Sequence, residues 1–226
     1  MIKIFLDSSD MGKIKEFEPR VQGFTTNPTL MRKAGVTDYE KFCKEVLSIV
    51  NGKPVSFEVF ADDFHEMERQ AKIISSWGDN VYVKVPITNT KGESSQALIN
   101  RLSGDGLKIN VTAVTDWNQC LEIIPEAPMI ISVFAGRIAD TGVSPMGFFW
   151  RKARRANSSY QSENLWASPR EVLNIYQAEE AGANIITCTP ELIDKYEKFR
   201  GMDLHELSLE TVKMFFRDGQ AAGFKL

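Results

Sequence analysis

Short runs of apolar and β-branched residues alternate with stretches of helical period from one end of this chain to the other. The strand-like runs are Ile2–Ser8, Gln22–Asn27, Val55–Phe60, Asn80–Pro86, Leu107–Val114, Met129–Ala135, Asn164–Ser168 and Asn184–Thr189. Between them lie amphipathic stripes. Tyr39, Phe42, Cys43, Val46, Leu47 and Val50 form one, and Phe64, Met67, Ala71 and Ile74 form another. Strand–helix alternation with short connections requires parallel pairing. Eight such units in 226 residues favour closure into a (β/α)8 barrel, a fold of ~250 residues. An open doubly wound sheet is the competitor, but no GxGxxG turn follows the first run. No Pro/Gly/Ser-rich linker interrupts the pattern, so residues 1–226 read as one α/β domain. An extra helix over about Glu206–Gly219 follows the eighth unit. Its apolar residues spread around more than one face, which suggests burial on both sides, against a neighbouring subunit for instance.

Composition narrows the function classes. Hydrophobic residues are 43% and charged residues 25%, close to the globular averages of ~45–50% and ~25%. A net charge of −3 argues against a dedicated nucleic-acid binder. No apolar run approaches the ~20 residues of a membrane span, and Ile2–Leu6 is too short for a secretory signal. The three cysteines, Cys43, Cys120 and Cys188, are odd in number and far apart. That is neither a disulfide framework nor a zinc motif, and it points to the cytoplasm.

Three strand ends share a device. Asn27-Pro28, Ser168-Pro169 and Thr189-Pro190 each set a capping residue before a proline at the first helical position. Ser168–Glu171 and Thr37–Glu40 read as capping boxes. The three X-Pro caps fall at the carboxyl ends of strands, the face on which barrel enzymes build their sites.

Polar residues stand where a barrel wall should be apolar. Lys84 sits in Val81-Tyr-Val-Lys-Val-Pro86, and a buried parallel strand should read as continuous apolar residues. An edge-strand lysine facing water is one reading. In a barrel, alternation turns Tyr82 and Lys84 inward, where burial favours the neutral, nucleophilic amine. Asp7 ends the first run and Glu58 lies in the third. Asn110 and Thr112 share one face of the fifth, as do Ser132 and Phe134 of the sixth. Each alone is more often a cap or a satisfied polar group. Together they place a lysine, two carboxylates and several hydroxyl or amide groups at one end of a barrel, a set suited to Schiff-base chemistry. Arg137 follows the sixth run and Arg170 falls in a first helical turn, against the helix dipole. Either a bound phosphate explains them or they are exposed without a role. The basic cluster Arg151–Arg155 is the one feature that favours nucleic acid, and its plainer reading is a solvated helix face. His65 and His205 read as surface residues, and the cysteines as core.

These residues also carry a resemblance. Phe5-Leu-Asp-Ser8, Gly23-Phe-Thr-Thr-Asn-Pro-Thr-Leu30, Val83-Lys-Val-Pro-Ile-Thr88, Asn110-Val-Thr112 and Ser132-Val-Phe-Ala-Gly-Arg-Ile138 look like the transaldolases. The similarity is greatest to their small single-barrel branch, which includes the fructose-6-phosphate aldolases, and it spans nearly the whole chain in the same order. The resemblance implies a TIM barrel of the class I aldolase type, with no cofactor and no metal. It makes Lys84 the Schiff-base lysine and Asp7 the carboxylate that takes the C4 hydroxyl proton of the donor. It makes Glu58 the residue that serves imine formation through a water, with Thr112 holding that water. Asn27, Asn110 and Ser132 would hold the dihydroxyacetone unit. Arg137, Ser168 and Arg170 would hold phosphate.

Within the branch, the aldolases typically carry glutamine where Glu58 stands and tyrosine where Phe134 stands, so both positions match the transaldolases. Pro169 and the segment 142–160 depart from the family pattern near the phosphate end. The implied partners are sugar phosphates and further copies of the chain, a decamer or a pentamer, with no nucleic acid and no membrane.

Overall fold

The computed structural model describes residues 1–153 and 162–225. Arg154 and Arg155 of the basic cluster, and the end of the 142–160 segment, lie outside the described residues. The chain forms two compact units, Met1–Leu192 and Ile193–Leu226.

The first unit opens with β1 (Lys3–Asp7), α1 (Met11–Phe17), β2 (Gly23–Thr25), α2 (Pro28–Lys33), α3 (Tyr39–Ile49) and β3 (Val55–Glu58). It continues through α4 (Phe64–Ser75), β4 (Val81–Pro86), α5 (Gln96–Gly104), β5 (Ile109–Val114) and β6 (Met129–Val133). Then come α6 (Ala135–Asp140), α7 (Met146–Ala153), β7 (Ser162–Trp166), α8 (Leu173–Glu180) and β8 (Ile185–Cys188). All eight strands pair in parallel and close as β1-β2-β3-β4-β5-β6-β7-β8, a (β/α)8 TIM barrel. Seven of the eight strand-like runs contain their strand whole; the seventh, Asn164–Ser168, overlaps β7, which begins two residues earlier at Ser162. The fifth unit differs from the pattern: a 3-10 turn, Trp117–Cys120, stands between β5 and β6 in place of an α-helix.

The outward faces of the strands carry the larger core. Leu6, Phe24, Phe57, Val83, Val111 and Val133 are buried there, and α4, α5 and α8 pack on β4, β5 and β8. The helices offer matching stripes: Met67, Ala71 and Ile74 from α4, Leu98, Ile99 and Leu102 from α5. Each fully buried side chain of this kind contributes about 1.5–3 kcal/mol.

The inward faces are layered. At the amino-terminal mouth Lys3 Nζ pairs with Glu163 Oε1 at 2.7 Å. Above it Phe5, Ile130, Leu165 and Ile185 form an apolar plug, against which Tyr82 and Phe134 pack. Gly23 makes room for it, since a Cβ there would lie 2.4 Å from Phe5 Cζ. Above the plug the interior turns polar.

Local chemistry sets where the elements begin. Asn27 caps α2, its Oδ1 accepting from Leu30 N at 3.0 Å, with Pro28 at the first position. The helix after β8 likewise starts at Pro190. Two caps differ from the sequence reading. Asp38, not Thr37, caps α3, accepting from Lys41 N at 3.0 Å, because a carboxylate one residue later reaches the free N–H groups. Ser168 caps nothing: it sits at φ 58°, and α8 starts only at Leu173. Arg170 is therefore in a loop, not in a first helical turn. Asn174 replaces the supposed capping box, its Oδ1 accepting from Arg170 N at 2.7 Å and Glu171 N at 3.2 Å.

The second unit, Ile193–Leu226, holds most of α9 (Pro190–Phe199) and all of α10 (Leu204–Ala222). α10 overruns the expected Glu206–Gly219 at both ends. Asp203 caps it, and Gly223 at φ 66° terminates it. None of its residues is buried. Leu207, Leu209, Val212, Met214, Phe215 and Phe216 are all exposed.

Candidate active site

Parallel register sets Glu58, Lys84 and Asn110 side by side on β3, β4 and β5. Lys84 faces the interior and is only 6% exposed, so the edge-strand reading does not apply. Its Nζ lies 2.8 Å from Glu58 Oε2 and donates to Thr26 O at 2.9 Å. A buried ammonium needs such partners, because removing one side of a buried pair costs about 3–5 kcal/mol.

Asp7 ends β1 on the same interior face. Its Oδ1 accepts from Thr25 Oγ1 at 2.8 Å. Asn27 donates to it as well, and the cap that Asn27 Oδ1 makes to α2 fixes which end of the amide remains for the carboxylate. Burial pushes the Asp7 carboxyl above its ordinary range. The Lys84 charge and the Thr25 and Asn27 hydrogen bonds oppose that, while the Glu58 charge adds to it. The neighbouring Cys188 thiol is pushed up to about 12 by burial and by the Asp7 charge.

A second hydrogen-bonded group lines the wall opposite. Asn110 Nδ2 donates to Ser56 Oγ at 3.0 Å, and Ser132 Oγ donates to Asn110 Oδ1 at 2.6 Å. All three residues are buried. Thr112, one inward step beyond Asn110, is buried with its hydroxyl unpaired by protein. Register slips just beyond it, between Val111 and Val114, where Ala113 adopts φ 61°. A non-glycine residue in that region costs ~1–2 kcal/mol, and such strain gathers at functional sites. Phe134, partly buried, packs against the apolar cluster, which also includes Ala167, and its N–H donates to Val114 O at 2.7 Å.

Arg137, Ser168 and Arg170 meet beyond the carboxyl ends of β6 and β7. A Cβ on Gly136 would lie 1.7 Å from Ser168 O and 3.2 Å from Arg170 Nε, so glycine is required for the start of α6 and the loop after β7 to approach. Arg170 forks onto Asp140, Nε to Oδ1 at 3.2 Å and Nη2 to Oδ2 at 2.5 Å. Arg170 and Arg137 together hold the Asp140 carboxyl below its usual range. Both arginines are exposed.

The structure thus brings Lys84, Glu58, Asp7, Asn27, Asn110, Thr112 and Ser132 into one polar layer, and gathers the arginine group on the same face. Sequence reasoning missed Thr25, Ser56, Thr187 and Asp140. Strand parity held the signal for the first two, since Ser56 stands two residues before Glu58 and Thr25 two before Asn27. Asp140 had none, because its partner is 30 residues away.

This layer offers a buried lysine amine, a carboxylate in contact with it, a second carboxylate across the cavity and a set of neutral donors. That is the equipment for forming an imine with a polyhydroxy ketone and moving protons around it. Comparison with known proteins shows the family. Residues 4–226 match the family described as Transaldolase/Fructose-6-phosphate aldolase. A probable transaldolase of Brucella anthropi is 33% identical over 228 residues, covering all of both chains. One of Methanococcus maripaludis strain C5 is 34% identical over 97% of this chain and 98% of that one. Among solved structures, orotidine 5'-monophosphate decarboxylase of Metallosphaera sedula aligns at a TM-score of 0.55 and 10% identity, over 88% of this chain and 99% of that one. That likeness speaks for the fold alone.

Proposed function

The chain belongs to the transaldolase/fructose-6-phosphate aldolase family, and from that premise we propose that it transfers a dihydroxyacetone unit from a ketose phosphate to an aldose phosphate through a Schiff base on Lys84. The donor is fructose 6-phosphate or sedoheptulose 7-phosphate. The observation that carries this reading is the buried Lys84 amine against Glu58 at 2.8 Å.

The residues divide the work as follows. Glu58 draws a proton from the Lys84 ammonium, and the free amine adds to the donor C2 carbonyl. The carbinolamine then loses water to give the iminium, with Glu58 passing protons by way of a water held at the Thr112 hydroxyl. Asp7 takes the C4 hydroxyl proton as the C3–C4 bond breaks, and its electron pair flows into the iminium to leave an enamine. The aldose phosphate departs. A second aldose phosphate accepts the enamine carbon and recovers the proton from Asp7, and water releases the new ketose. Asn27, Asn110 and Ser132 hold the dihydroxyacetone hydroxyls. Arg137, Ser168 and Arg170 receive the phosphate, a role supported by the closeness that Gly136 permits.

Phe134 favours transfer over release. A ring without a hydroxyl offers no proton to the enamine, so it waits for an aldehyde. The second reading, an aldolase that frees dihydroxyacetone, has Glu58 and Phe134 against it. Assay with fructose 6-phosphate, with and without erythrose 4-phosphate, separates the two. Donor consumption that accelerates with acceptor and yields glyceraldehyde 3-phosphate supports the transferase. Dihydroxyacetone released equally fast without acceptor makes the protein an aldolase.

We also propose that the protein works in the cytoplasm as a homo-oligomer, a decamer or a pentamer. The exposed apolar residues of α10 support self-association.

A further inference from the structure

Thr187, on β8, enters neither the resemblance nor the mechanism above. Its hydroxyl is 2.6 Å from Thr25 Oγ1, whose own hydrogen goes to Asp7 Oδ1 at 2.8 Å. Thr187 and Thr25 are 5% and 3% exposed, so water does not compete for these bonds. An ionised carboxylate only accepts. Thr25 has one hydrogen and gives it to Asp7, so the short contact to Thr187 must be a bond that Thr187 donates.

We propose that Thr187 is a positioning residue for Asp7: it donates to Thr25, locks the Thr25 hydroxyl toward the carboxylate, and so holds Asp7 ionised and aimed for the proton of the donor hydroxyl. This rests on the general-base role assigned to Asp7 above. The other groups facing Asp7 are Lys84 on β4, Glu58 on β3, Cys188 on β8 and the Asn27 amide beyond β2. Lys84 and Asn27 favour the charged form, and burial and Glu58 oppose it. The relay adds to the favourable side without adding charge. Polarised in sequence, two hydroxyls donate more strongly than one.

Thr187→Val keeps the shape and removes the donor. Thr25 is then free to turn, and Asp7 loses part of what keeps it ionised. The expected result is a drop of roughly five- to tenfold in kcat near neutral pH, the size of one neutral hydrogen bond. The acid limb of the kcat/KM profile should move to higher pH, because a base that protonates more readily is lost sooner on acidification. KM for the donor should stay near wild type. Borohydride trapping of Lys84 with free dihydroxyacetone should also be unchanged, since imine formation does not use Asp7. Thr187→Ser should restore both rate and profile, and Thr187→Ala replaces the valine variant if that one does not fold. An unshifted acid limb with wild-type kcat in the valine or alanine variant overturns the relay. So does a serine variant as impaired as valine, or a loss of trapping equal to the loss of turnover. Wild-type protein that fails to trap at all would instead sink the Schiff-base reading, and the two failures are thereby told apart.

Discussion

The role proposed for Asp7 sets stability against chemistry at a single residue. Its carboxyl is raised from the ordinary value of 3.8, first by burial. A folded value above the unfolded one means that the native state binds the extra proton. Stability therefore falls as pH rises through the window between them, and the ionised form carries the full cost above it. Asp7→Asn removes that cost. It should raise the melting temperature at neutral pH, the gain should vanish below about pH 3.8, and turnover should be abolished. A melting temperature lower than wild type at neutral pH would show that the Thr25 and Asn27 hydrogen bonds outweigh burial. For the arginines, Arg137→Ala and Arg170→Ala should raise KM for phosphorylated donors and leave kcat nearly unchanged, because phosphate binding is shared by ground and transition states. Normal KM values in both would put the phosphate elsewhere.

At the scale of elements, the caps decide where helices start, and one of them serves the site as well. Asn27 holds α2 through Oδ1 and Asp7 through its amide nitrogen, so helix start and carboxylate share one side chain. Asp38 caps α3 and touches nothing in the site. Asp38→Ala should cost about 1 kcal/mol in chemical denaturation with activity intact, while Thr37→Ala should leave stability unchanged. The reverse order would restore Thr37 as the cap.

These same elements mark how far the sequence could be read. Strand positions were legible because parallel barrel strands are buried on both faces and read as apolar runs. Lys84 was legible for the same reason, as a charge inside such a run. The caps were less so: Thr37 and Asp38 differ by one residue, and both types suit the position. Ser168 was misread because Ser-Pro before an acidic residue imitates a capping box. It stands instead at positive φ with its carbonyl oxygen against Gly136, a tertiary contact absent from local sequence. The Thr187–Thr25–Asp7 chain joins β8, β2 and β1, and only closure of the barrel brings its ends together.

For the whole molecule, the barrel interior is divided along its axis. An ion pair and an apolar plug fill the amino-terminal half, and a hydrogen-bonded polar layer with one amine fills the other. The plug supplies rigidity from below, so the polar side chains above it need little reorganisation during reaction. α10 leaves a large apolar surface exposed on a single chain. Light scattering at micromolar concentration should give a multiple of the chain mass, and replacing Phe215 and Phe216 with serine should lower it. A monomeric mass for the wild type would contradict self-association.

The central claim is that the interior amine becomes covalently bound to substrate, and borohydride trapping followed by peptide mass spectrometry tests it most directly. With fructose 6-phosphate present, reduction should inactivate the enzyme and add one reduced sugar fragment to the peptide that contains Lys84. Lys84→Met should neither turn over nor trap. Labelling at another lysine, or turnover by Lys84→Met, would contradict the account.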